Sequence, residues 1–329
     1  MSTLLETRNL VKYFDTAGGK LHAVDHVNLS IEAGTTLGVV GESGCGKSTL
    51  GRVVLRLSEP TSGEILFRGQ DVSRLNKREL KQFRQKAQII FQDPYASLNP
   101  RMTVSEIIAE PLIASKMYRH SADIDAAVFK AMDMVGLAAR MVNAYPHEMD
   151  GGRRQRIGIA RALVMEPEFV VCDEPVSALD VSIQAQILNL LMDLQQEKKL
   201  TYMFITHDMS VVRHISNEIA VMYLGMCVEK APAKELFEHP MHPYTKALLS
   251  AIPVPDLNYR NKKRRIIKGE VTSPVDPKPG CRFASRCPYA QAECTQHDIP
   301  LTEYGSGHMV ACCRCQEDIF QKECEEENA

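Results

Sequence analysis

The sequence predicts an α/β fold with an N-terminal antiparallel β subdomain, a helical insertion and a cysteine-rich C-terminal extension. Three observations support this prediction. A phosphate-loop pattern at residues 41–49 follows an apolar strand and precedes a helix-compatible stretch, which is the context that this motif requires. A second apolar run, residues 169–172, ends in two carboxylates, as buried strands do where α/β sheets bind ligands. Seven of the ten cysteines lie beyond residue 280, so the C-terminal region differs in composition from the rest.

The size and composition of the chain set the broad class. At 329 residues it can form two domains, or one large domain with an appendage. The net charge of −2 gives no general reason to expect nucleic-acid binding. No apolar stretch is long enough to span a bilayer, and the polar N-terminus lacks the features of a signal peptide. We therefore expect a cytosolic protein that is at most peripheral to a membrane.

The first strands precede the phosphate loop. Alternating residues predict strands at Leu5–Leu10 and Ala23–Ile31, joined by a loop at Asp15–Lys20. Tyr13 lies after the first of them, and an aromatic ring upstream of a phosphate loop can stack on adenine. Taken alone, Tyr13 is better interpreted as a half-buried strand residue.

The phosphate loop itself predicts nucleotide binding. Its glycines adopt positive φ at little cost, so the backbone can wrap around a phosphate with its N–H groups pointing inward. The following helix N-terminus adds partial positive charge. Lys47 would reach the β- and γ-phosphates, Ser48 would hold Mg²⁺, and Thr49 would donate to a phosphate. The alternative is a chance match, which the flanking strand and helix disfavour. The residues of this predicted site are Gly41, Glu42, Ser43, Gly44, Cys45, Gly46, Lys47, Ser48 and Thr49.

A helical insertion is predicted after the next strand. Ala87–Phe91 is that strand, and Gln92 stands at its end. From Val104 to Met141, apolar residues recur at three- and four-residue spacing, which is typical of helices. Asp150 is a suitable N-cap for the next predicted helix, which stops before Pro167.

Two later strands end in candidate catalytic residues. Asp173 and Glu174 follow one apolar run, and His207 follows another at Tyr202–Thr206. Asp173 suits a role at Mg²⁺, directly or through water, and Glu174 suits a base that positions an attacking water. His207 could donate to a γ-phosphate. The alternatives are two exposed acids at a strand end and a structural histidine.

In chain order, these motifs resemble the nucleotide-binding subunits of ATP-binding cassette (ABC) proteins. The resemblance covers about residues 3–235 and includes a Gly-Gly-x-x-Gln-Arg helix start and the segment Ser177–Asp180. It implies a P-loop ATPase core that binds ATP and Mg²⁺, in which two cassettes sandwich two ATP molecules. The roles that it implies are Tyr13 stacking on adenine, Gln92 contacting Mg²⁺ and the attacking water, Glu174 as the catalytic carboxylate, His207 as the γ-phosphate switch and Asp180 at the dimer interface.

A narrower resemblance, over nearly the whole chain, is to the oligopeptide and dipeptide importer ATPases, a group shared with nickel and glutathione importers. The segments that carry it are Phe91–Pro94, Ser97–Arg101, His242–Thr245, Pro274 and Pro279–Cys281. It implies an ABC nucleotide-binding domain at residues 1–235, with a helical subdomain at about 93–152, and a peptide-importer extension at 236–329. It also implies a second, different ATPase subunit, two transmembrane permease subunits, an external solute-binding protein, and a position at the cytoplasmic face of the cell membrane.

The signature motif departs from the family. Where the family has Leu-Ser-Gly-Gly-Gln, this chain has Met149-Asp150-Gly151-Gly152-Arg153. In the family the signature serine donates to the γ-phosphate held by the partner's loop, and an ionised aspartate cannot donate. Arg153 lies one helical turn from Asp150 and could pair with it. We therefore expect an asymmetric heterodimer in which the site completed by Asp150 hydrolyses ATP poorly.

The cysteine-rich tail predicts a metal site. Cytosolic glutathione keeps thiols reduced, which argues against a disulfide framework, and clustered cysteines in such a protein more often bind metal. The spacing of the first three is wider than structural zinc usually takes and suits a cluster held by four thiolates. The importer resemblance selects Cys281, Cys287, Cys294 and Cys312 as ligands of a [4Fe–4S] cluster. Zinc, with His297 and His308 as further donors, is an alternative, and so is no metal.

Two further segments have simpler interpretations. Cys45, Cys172 and Cys227 are predicted to be small core or loop residues. The basic run Asn261–Arg265 is predicted to be a solvated linker; contact with acidic lipid head groups is the second interpretation and nucleic-acid binding the weakest.

These observations predict an ATP-hydrolysing subunit that powers import of peptides or related small solutes. The reaction would be in-line attack of water on the γ-phosphorus, catalysed by positioning and by the charge of Lys47 and Mg²⁺. One alternative is a soluble cassette ATPase that acts on ribosomes or DNA, although such proteins usually carry two cassettes or a long coiled-coil insertion. Another is a regulatory or redox-sensing module that works through the cysteine tail.

Overall fold

The computed structural model describes residues 2–252, 269, 272–305 and 307–316. The basic run Asn261–Arg265 and Cys324 lie outside these residues. The strands are β1 (Thr3–Thr16), β2 (Gly19–Glu32), β3 (Thr36–Val40), β4 (Ser62–Phe67), β5 (Gln70–Asp71), β6 (Ala87–Ile90), β7 (Phe169–Asp173), β8 (Thr201–Ile205), β9 (Glu218–Tyr223), β10 (Met226–Pro232), β11 (Thr302–Glu303) and β12 (Met309–Val310). The helices are α1 (Lys47–Val54), α2 (Lys77–Lys86), α3 (Pro94–Ser97), α4 (Val104–Ser115), α5 (Ser121–Met134), α6 (Gly151–Leu163), α7 (Val181–Lys198), α8 (Met209–Ile215), α9 (Ala233–Glu238) and α10 (Pro243–Ser250).

Two sheets organise the fold. The first is antiparallel and has the strand order β2-β1-β4-β5, which confirms the predicted N-terminal β subdomain. The second has the order β11-β12-β10-β9-β3-β8-β7-β6, and it is parallel from β9 to β6. The strands β3, β7 and β8 are buried along their whole length because helices and the first sheet cover both faces. Their carboxyl ends therefore open at one edge of the sheet.

The N-terminal hairpin is longer than the sequence predicts. The predicted strands Leu5–Leu10 and Ala23–Ile31 lie within β1 and β2, but pairing continues to Thr16 and Gly19. The Thr16 hydroxyl donates to the carbonyl of Gly19 at 2.7 Å, which closes the turn tightly. Most of the segment Asp15–Lys20, which was expected to be a loop, is therefore paired as antiparallel strands.

The helical insertion is present where the periodicity predicts it. Helix α4 begins with a capping box, in which the Thr103 side chain accepts from the N–H of Glu106 and the Glu106 carboxylate accepts from the N–H of Thr103. Helices α4, α5 and α6 pack on one another through one apolar cluster that also covers the parallel sheet. In the part of the chain that the structure describes, no helix combines the length and the apolar character needed to cross a membrane.

The described part of the predicted C-terminal extension (residues 236–329) joins the main sheet. Its short strand β12 pairs with β10, where Glu229 is opposite Val310, and β11 then pairs with β12. The buried Glu229 carboxylate lies 2.7 Å from His308 Nε2 and accepts from the N–H groups of Met241 and His242. This contact fixes the extension to the core.

Candidate functional site

The phosphate loop follows the carboxyl end of β3 and can be formed only with glycine at two positions. Gly41 has φ +152° and Gly46 has φ +103°. A Cβ at Gly41 would lie 2.2 Å from the carbonyl oxygen of Met222, and one at Gly46 would lie 2.0 Å from that of Ala23. The loop therefore sits directly against its neighbouring strands, and α1 begins immediately after Gly46.

Lys47 lies beneath this loop. Its side chain is buried, and its Nζ donates to the carbonyl oxygens of Gly41 at 2.7 Å and Glu42 at 2.9 Å. The ammonium group is thus held inside the curve of the loop, where a phosphate group would bind.

Ser48 and Asp173 form an oxygen pair beside the loop. The Ser48 hydroxyl donates to Asp173 Oδ1 at 2.6 Å, and Asp173 is 2% exposed. Burial raises the pKa of Asp173, and Arg52 approaches its other oxygen at 4.0 Å. A buried carboxylate and a hydroxyl at the mouth of a phosphate loop are the hard oxygen donors that Mg²⁺ prefers.

Gln92, Glu174 and His207 converge at the same edge of the sheet. They follow the neighbouring parallel strands β6, β7 and β8. Gln92 Nε2 donates to Glu174 Oε2 at 2.9 Å, and His207 Nδ1 lies 3.3 Å from Glu174 Oε1. Glu174 has φ +46°, so the chain turns sharply as it leaves β7. Two side chains thereby fix both oxygens of one carboxylate.

These groups line one cavity of about 490 Å³. The lining residues are Phe14, Leu21, Ala23, Ser43, Gly44, Gly46, Lys47, Ser48, Thr49, Gln92, Glu174, His207 and Pro274. The structure thus brings together most of the residues predicted for nucleotide binding. It adds Phe14 and Leu21 from the β1–β2 hairpin and Pro274 from the C-terminal extension, which the sequence analysis did not assign to the site.

Tyr13, the predicted adenine-stacking residue, does not line this cavity. Neighbouring side chains on a strand point to opposite faces, and it is Phe14, not Tyr13, that faces this cavity. Tyr13 instead stacks on His22 with ring centroids 3.8 Å apart and donates to Asp25 at 2.5 Å. It lines a different cavity, of about 800 Å³, between the hairpin and the C-terminal extension. The aromatic at the next position was the signal that the sequence analysis missed.

The signature residues lie outside the lining of the cavity beside the phosphate loop. Asp150 caps α6, because its Oδ1 accepts from the N–H of Arg153 at 2.8 Å. The Arg153 guanidinium approaches Asp150 Oδ2 at 3.4 Å, and both side chains are about half exposed. The pairing that the sequence suggested is therefore present.

The two signature glycines pack against the segment that follows β7. A Cβ at Gly151 would lie 3.1 Å from Leu179, and one at Gly152 would lie 2.8 Å from Ile183. Asp180 caps α7 by accepting from the N–H of Ile183, and this hydrogen bond lowers the pKa of Asp180. The signature and the Ser177–Asp180 segment thus form one surface.

The predicted cysteine ligands meet in the C-terminal extension. All four line a small cavity of about 10 Å³, together with Cys313, which was not among the predicted ligands. The Cys294 and Cys313 sulfurs are 3.2 Å apart, and burial raises the pKa of Cys281 to about 12. Among the described residues, no group of three or more His, Cys, Asp or Glu side chains is arranged to hold a metal ion.

The other predicted donors and cysteines lie elsewhere. His308 contacts Glu229, His297 is exposed, and neither lines the cysteine cavity. Cys45, Cys172 and Cys227 are buried core or loop residues, as predicted.

Comparison with known proteins adds the family. The model of the ABC transporter family matches residues 24–177, and that of the oligopeptide/dipeptide transporter C-terminal region matches residues 228–294. The chain is 53% identical over 313 residues to the putative oligopeptide transport ATP-binding protein YkfD of Bacillus subtilis (strain 168), and the match covers 94% of each protein. It is 50% identical over 319 residues to the oligopeptide transport ATP-binding protein OppF of Salmonella typhimurium, covering 94% of this chain and 95% of that protein.

A solved structure with a similar fold is the ATP-binding cassette MJ0796, in a dimeric post-hydrolysis state bound to ADP and Pi. The TM-score is 0.64 at 29% sequence identity, and the match covers 70% of this chain and 99% of that one.

Proposed function

The chain belongs to the ABC transporter family and is an ATP-hydrolysing subunit that powers peptide import. We propose that the cavity beside the phosphate loop is the place where ATP binds and is hydrolysed. One observation carries the proposal. Side chains from the ends of three neighbouring strands, Gln92, Glu174 and His207, converge on the cavity that also contains Lys47. This set combines a phosphate-binding loop, a cation for the phosphates and a fixed carboxylate for water, which together are what phosphoryl transfer requires.

In the proposed reaction, a water attacks the γ-phosphorus in line while the bond from that phosphorus to the β,γ-bridging oxygen breaks, which gives ADP and inorganic phosphate. The Glu174 carboxylate orients this water, and the hydrogen bond from Gln92 keeps the carboxylate in place. Lys47 supplies positive charge to the β- and γ-phosphates, His207 donates to the γ-phosphate, and Phe14 stacks on adenine. The loop amides from Gly41 to Thr49 bind the phosphate oxygens.

ATP hydrolysis in this family uses Mg²⁺, and the chain offers suitable donors for it. We assign the Ser48 hydroxyl, the Asp173 carboxylate and the Gln92 amide oxygen to this role because the first two already meet at 2.6 Å beside the loop. Burial disfavours the ionised form of Asp173, and a neighbouring divalent cation would favour it. When bound, Mg²⁺ neutralises charge on the transferred phosphoryl group.

Two substitutions test this assignment in the assembled transporter. Lys47→Ala should lose ATP binding and hydrolysis, since the phosphate charge is left without its cation. Glu174→Gln should keep ATP binding but slow phosphate release by about 100-fold or more, because the water loses its carboxylate. Glu197→Gln, a change on the exposed face of α7, serves as the matched control. Normal turnover by the Glu174→Gln complex would remove Glu174 from the catalytic role.

An ATPase subunit of an ABC peptide importer works with membrane permease subunits, as a peripheral component of the complex. We propose that there are two such permeases, that the second ATPase is a different chain, and that an external solute-binding protein delivers the peptide. The complex would place this chain at the cytoplasmic face, with residues 1–235 as nucleotide-binding domain and the helical subdomain, about 93–152, facing the permeases. The match to oligopeptide transport proteins over 94% of the chain supports import over an action on ribosomes or DNA.

The heterodimer proposal has its own support in the signature. Asp150 occupies the position of a serine that donates to the partner's ATP, and its carboxylate cannot donate when ionised. It caps α6 and lies near Arg153 instead. We propose that the ATP site completed by Asp150 is the weaker of two, and that the site formed by this chain's own loop is the competent one.

We further propose that the extension holds a [4Fe–4S] cluster through Cys281, Cys287, Cys294 and Cys312. The support is that all four thiols, which are soft donors of the kind that iron–sulfur clusters use, line one cavity; at about 10 Å³ this cavity would have to widen to admit the cluster. Zinc is the alternative, and it would also have to use thiols, because His297 and His308 lie outside that cavity. Cys313 competes with Cys312 for the fourth position.

The metal content decides between these assignments. Protein purified without oxygen should be brown and contain about four irons per chain. Cys287→Ser should bleach it, whereas the control Cys227→Ser, a buried thiol outside the cavity, should not. A comparison of Cys312→Ser with Cys313→Ser identifies the fourth ligand. Colourless protein with stoichiometric zinc would overturn the iron–sulfur assignment.

A further inference from the structure

Glu42, in the phosphate loop, is held at each of its three polar groups. Its N–H donates to the hydroxyl of Tyr244 at 2.8 Å, and its carbonyl accepts from Lys47 Nζ at 2.9 Å. Its carboxylate accepts two hydrogen bonds from Arg286, from Nη1 to Oε2 at 2.8 Å and from Nη2 to Oε1 at 3.1 Å. Two of these three contacts come from the C-terminal extension rather than from the nucleotide-binding core.

Arg286 is buried beside Glu42 and makes further contacts that hold its side chain in place. Its side chain is 7% exposed, whereas that of Glu42 is 27% exposed. The guanidinium also donates to the Tyr223 hydroxyl at 3.2 Å and lies over that ring. A planar fork that meets a carboxylate through two parallel hydrogen bonds fixes both position and orientation. The sequence separation is 244 residues, so only the tertiary fold creates this pair.

Glu42 is itself part of the loop that would bind the phosphates. The carbonyls of Gly41 and Glu42 hold Lys47, so a displacement of Glu42 moves both the loop backbone and the ammonium group. The loop's glycines lack side chains that could restrain it locally. A restraint on Glu42 from outside the loop therefore sets how well the cradle is organised before a nucleotide enters.

We propose that Arg286 is a positioning residue of the nucleotide site, which acts through the Glu42 carboxylate to hold the phosphate loop in its binding conformation. The inference rests on the proposed assignment of ATP to this cavity. It means that the C-terminal extension serves the ATPase reaction directly. Because the loop binds phosphates in both the ground state and the transition state, loss of the contact should weaken ATP binding more than it slows the chemical step.

The test compares nucleotide affinity and turnover in the full chain and its transporter complex. Arg286→Gln should weaken ATP binding and raise KM by about ten-fold, with kcat at saturating ATP changed far less. Arg286→Lys, which keeps the charge but not the fork, should give an intermediate loss. Arg314→Gln is the matched control, since Arg314 belongs to the same extension but contacts Tyr289. It should bind ATP as the unmodified chain does.

A double-mutant cycle separates positioning from general loosening of the extension. Glu42→Gln should weaken ATP binding about as much as Arg286→Gln, and the double variant should be no weaker than either. Equal losses in Arg286→Gln and Arg314→Gln, additive losses in the cycle, or unchanged affinity in Arg286→Gln would each overturn the proposal. Failure of the unmodified chain to bind ATP, or normal turnover in Glu174→Gln, would instead contradict the proposed nucleotide site.

Discussion

The nucleotide cavity and the cysteine cavity contrast in how their polar groups are satisfied. Around the first, cavity-lining groups such as Lys47, Ser48 and Gln92 have a protein partner at 2.6–2.9 Å. In the second, thiols face one another, and burial raises the pKa of Cys281 to about 12. The first cavity is about 490 Å³ and the second about 10 Å³. Polar contacts within the protein organise the phosphate site, whereas burial keeps the Cys281 thiol protonated, and a bound metal would be needed to stabilise its thiolate.

The two regions are also joined. The segment that carries Cys281 and Cys287 contains Arg282 and Arg286, which pair with Asp25 and Glu42. A carboxylate in the hairpin and one in the phosphate loop are thereby tied to the cysteine-rich extension. The two regions therefore differ in chemistry but are in direct contact. The nucleotide cavity, the cysteine-rich extension and the contact between them can each be tested separately.

The largest effect is expected from the phosphate loops of the two ATPase subunits. In the assembled complex, Lys47→Ala should abolish hydrolysis, because it removes the cation of the competent site. The equivalent change in the partner ATPase should leave a substantial fraction of the turnover, since in the proposed heterodimer Asp150 completes the ATP site of that loop. Phosphate release by the two complexes, at equal assembly, measures this difference. If both changes are equally damaging, or if Asp150→Ser lowers turnover, the proposed asymmetry is wrong.

Asp173→Asn should slow hydrolysis by about 100-fold. The substitution replaces the carboxylate beside the Ser48 hydroxyl with a neutral amide, which is a weaker ligand for Mg²⁺. Asp193→Asn, on the exposed face of α7, is the matched control and should leave hydrolysis unchanged. Steady-state phosphate release across a range of Mg²⁺ concentrations provides the measurement. Wild-type rates in Asp173→Asn at every Mg²⁺ concentration would exclude Asp173 from the metal-binding role.

The ion pair between Asp25 in β2 and Arg282 in the C-terminal extension should make the stability of the folded protein depend on pH. Burial opposes the ionisation of Asp25, but hydrogen bonds from Tyr13 and His22 and the charge of Arg282 lower its pKa to about 2. Because the ionised form is favoured in the folded state, this contribution is complete above about pH 4 and is lost as the pH falls towards 2.

Urea unfolding between pH 5 and pH 2 measures this contribution. The unmodified chain should lose about 2 kcal/mol more than Asp25→Asn over that interval. Asp15→Asn, at the exposed end of the same hairpin, should follow the unmodified chain. Parallel curves for Asp25→Asn and the unmodified chain would contradict the assignment.

The smallest effect concerns the adenine. The same substitution at neighbouring positions separates the two faces of β1: Phe14→Leu should weaken ATP binding by about ten-fold through lost stacking. Tyr13→Leu should leave the affinity unchanged, because its ring faces the other cavity. Titration with a fluorescent ATP analogue measures both. A larger loss for Tyr13→Leu would restore the assignment made from sequence.

Much of the site could be predicted because its residues follow local patterns. The phosphate loop, Gln92, Glu174 and His207 each stand at the end of an apolar strand, and parallel strands place such ends at one edge. The helical insertion followed from its periodicity, and Asp150 was recognised as a cap. Local pattern did not separate Tyr13 from Phe14, because two adjacent aromatics in a strand differ only in which face they occupy.

The sequence by itself determined the fold class, the phosphate loop, the carboxylate of Glu174 and the clustering of cysteines in the extension, because short-range spacing encodes each of these. Only the tertiary structure decided that Phe14 faces the nucleotide cavity, that Cys313 lies beside Cys294, and that Arg286 holds Glu42. These contacts depend on which face a strand turns inward and on residues up to 244 positions apart. No local pattern predicts such a contact, because its residues come together only in the folded chain.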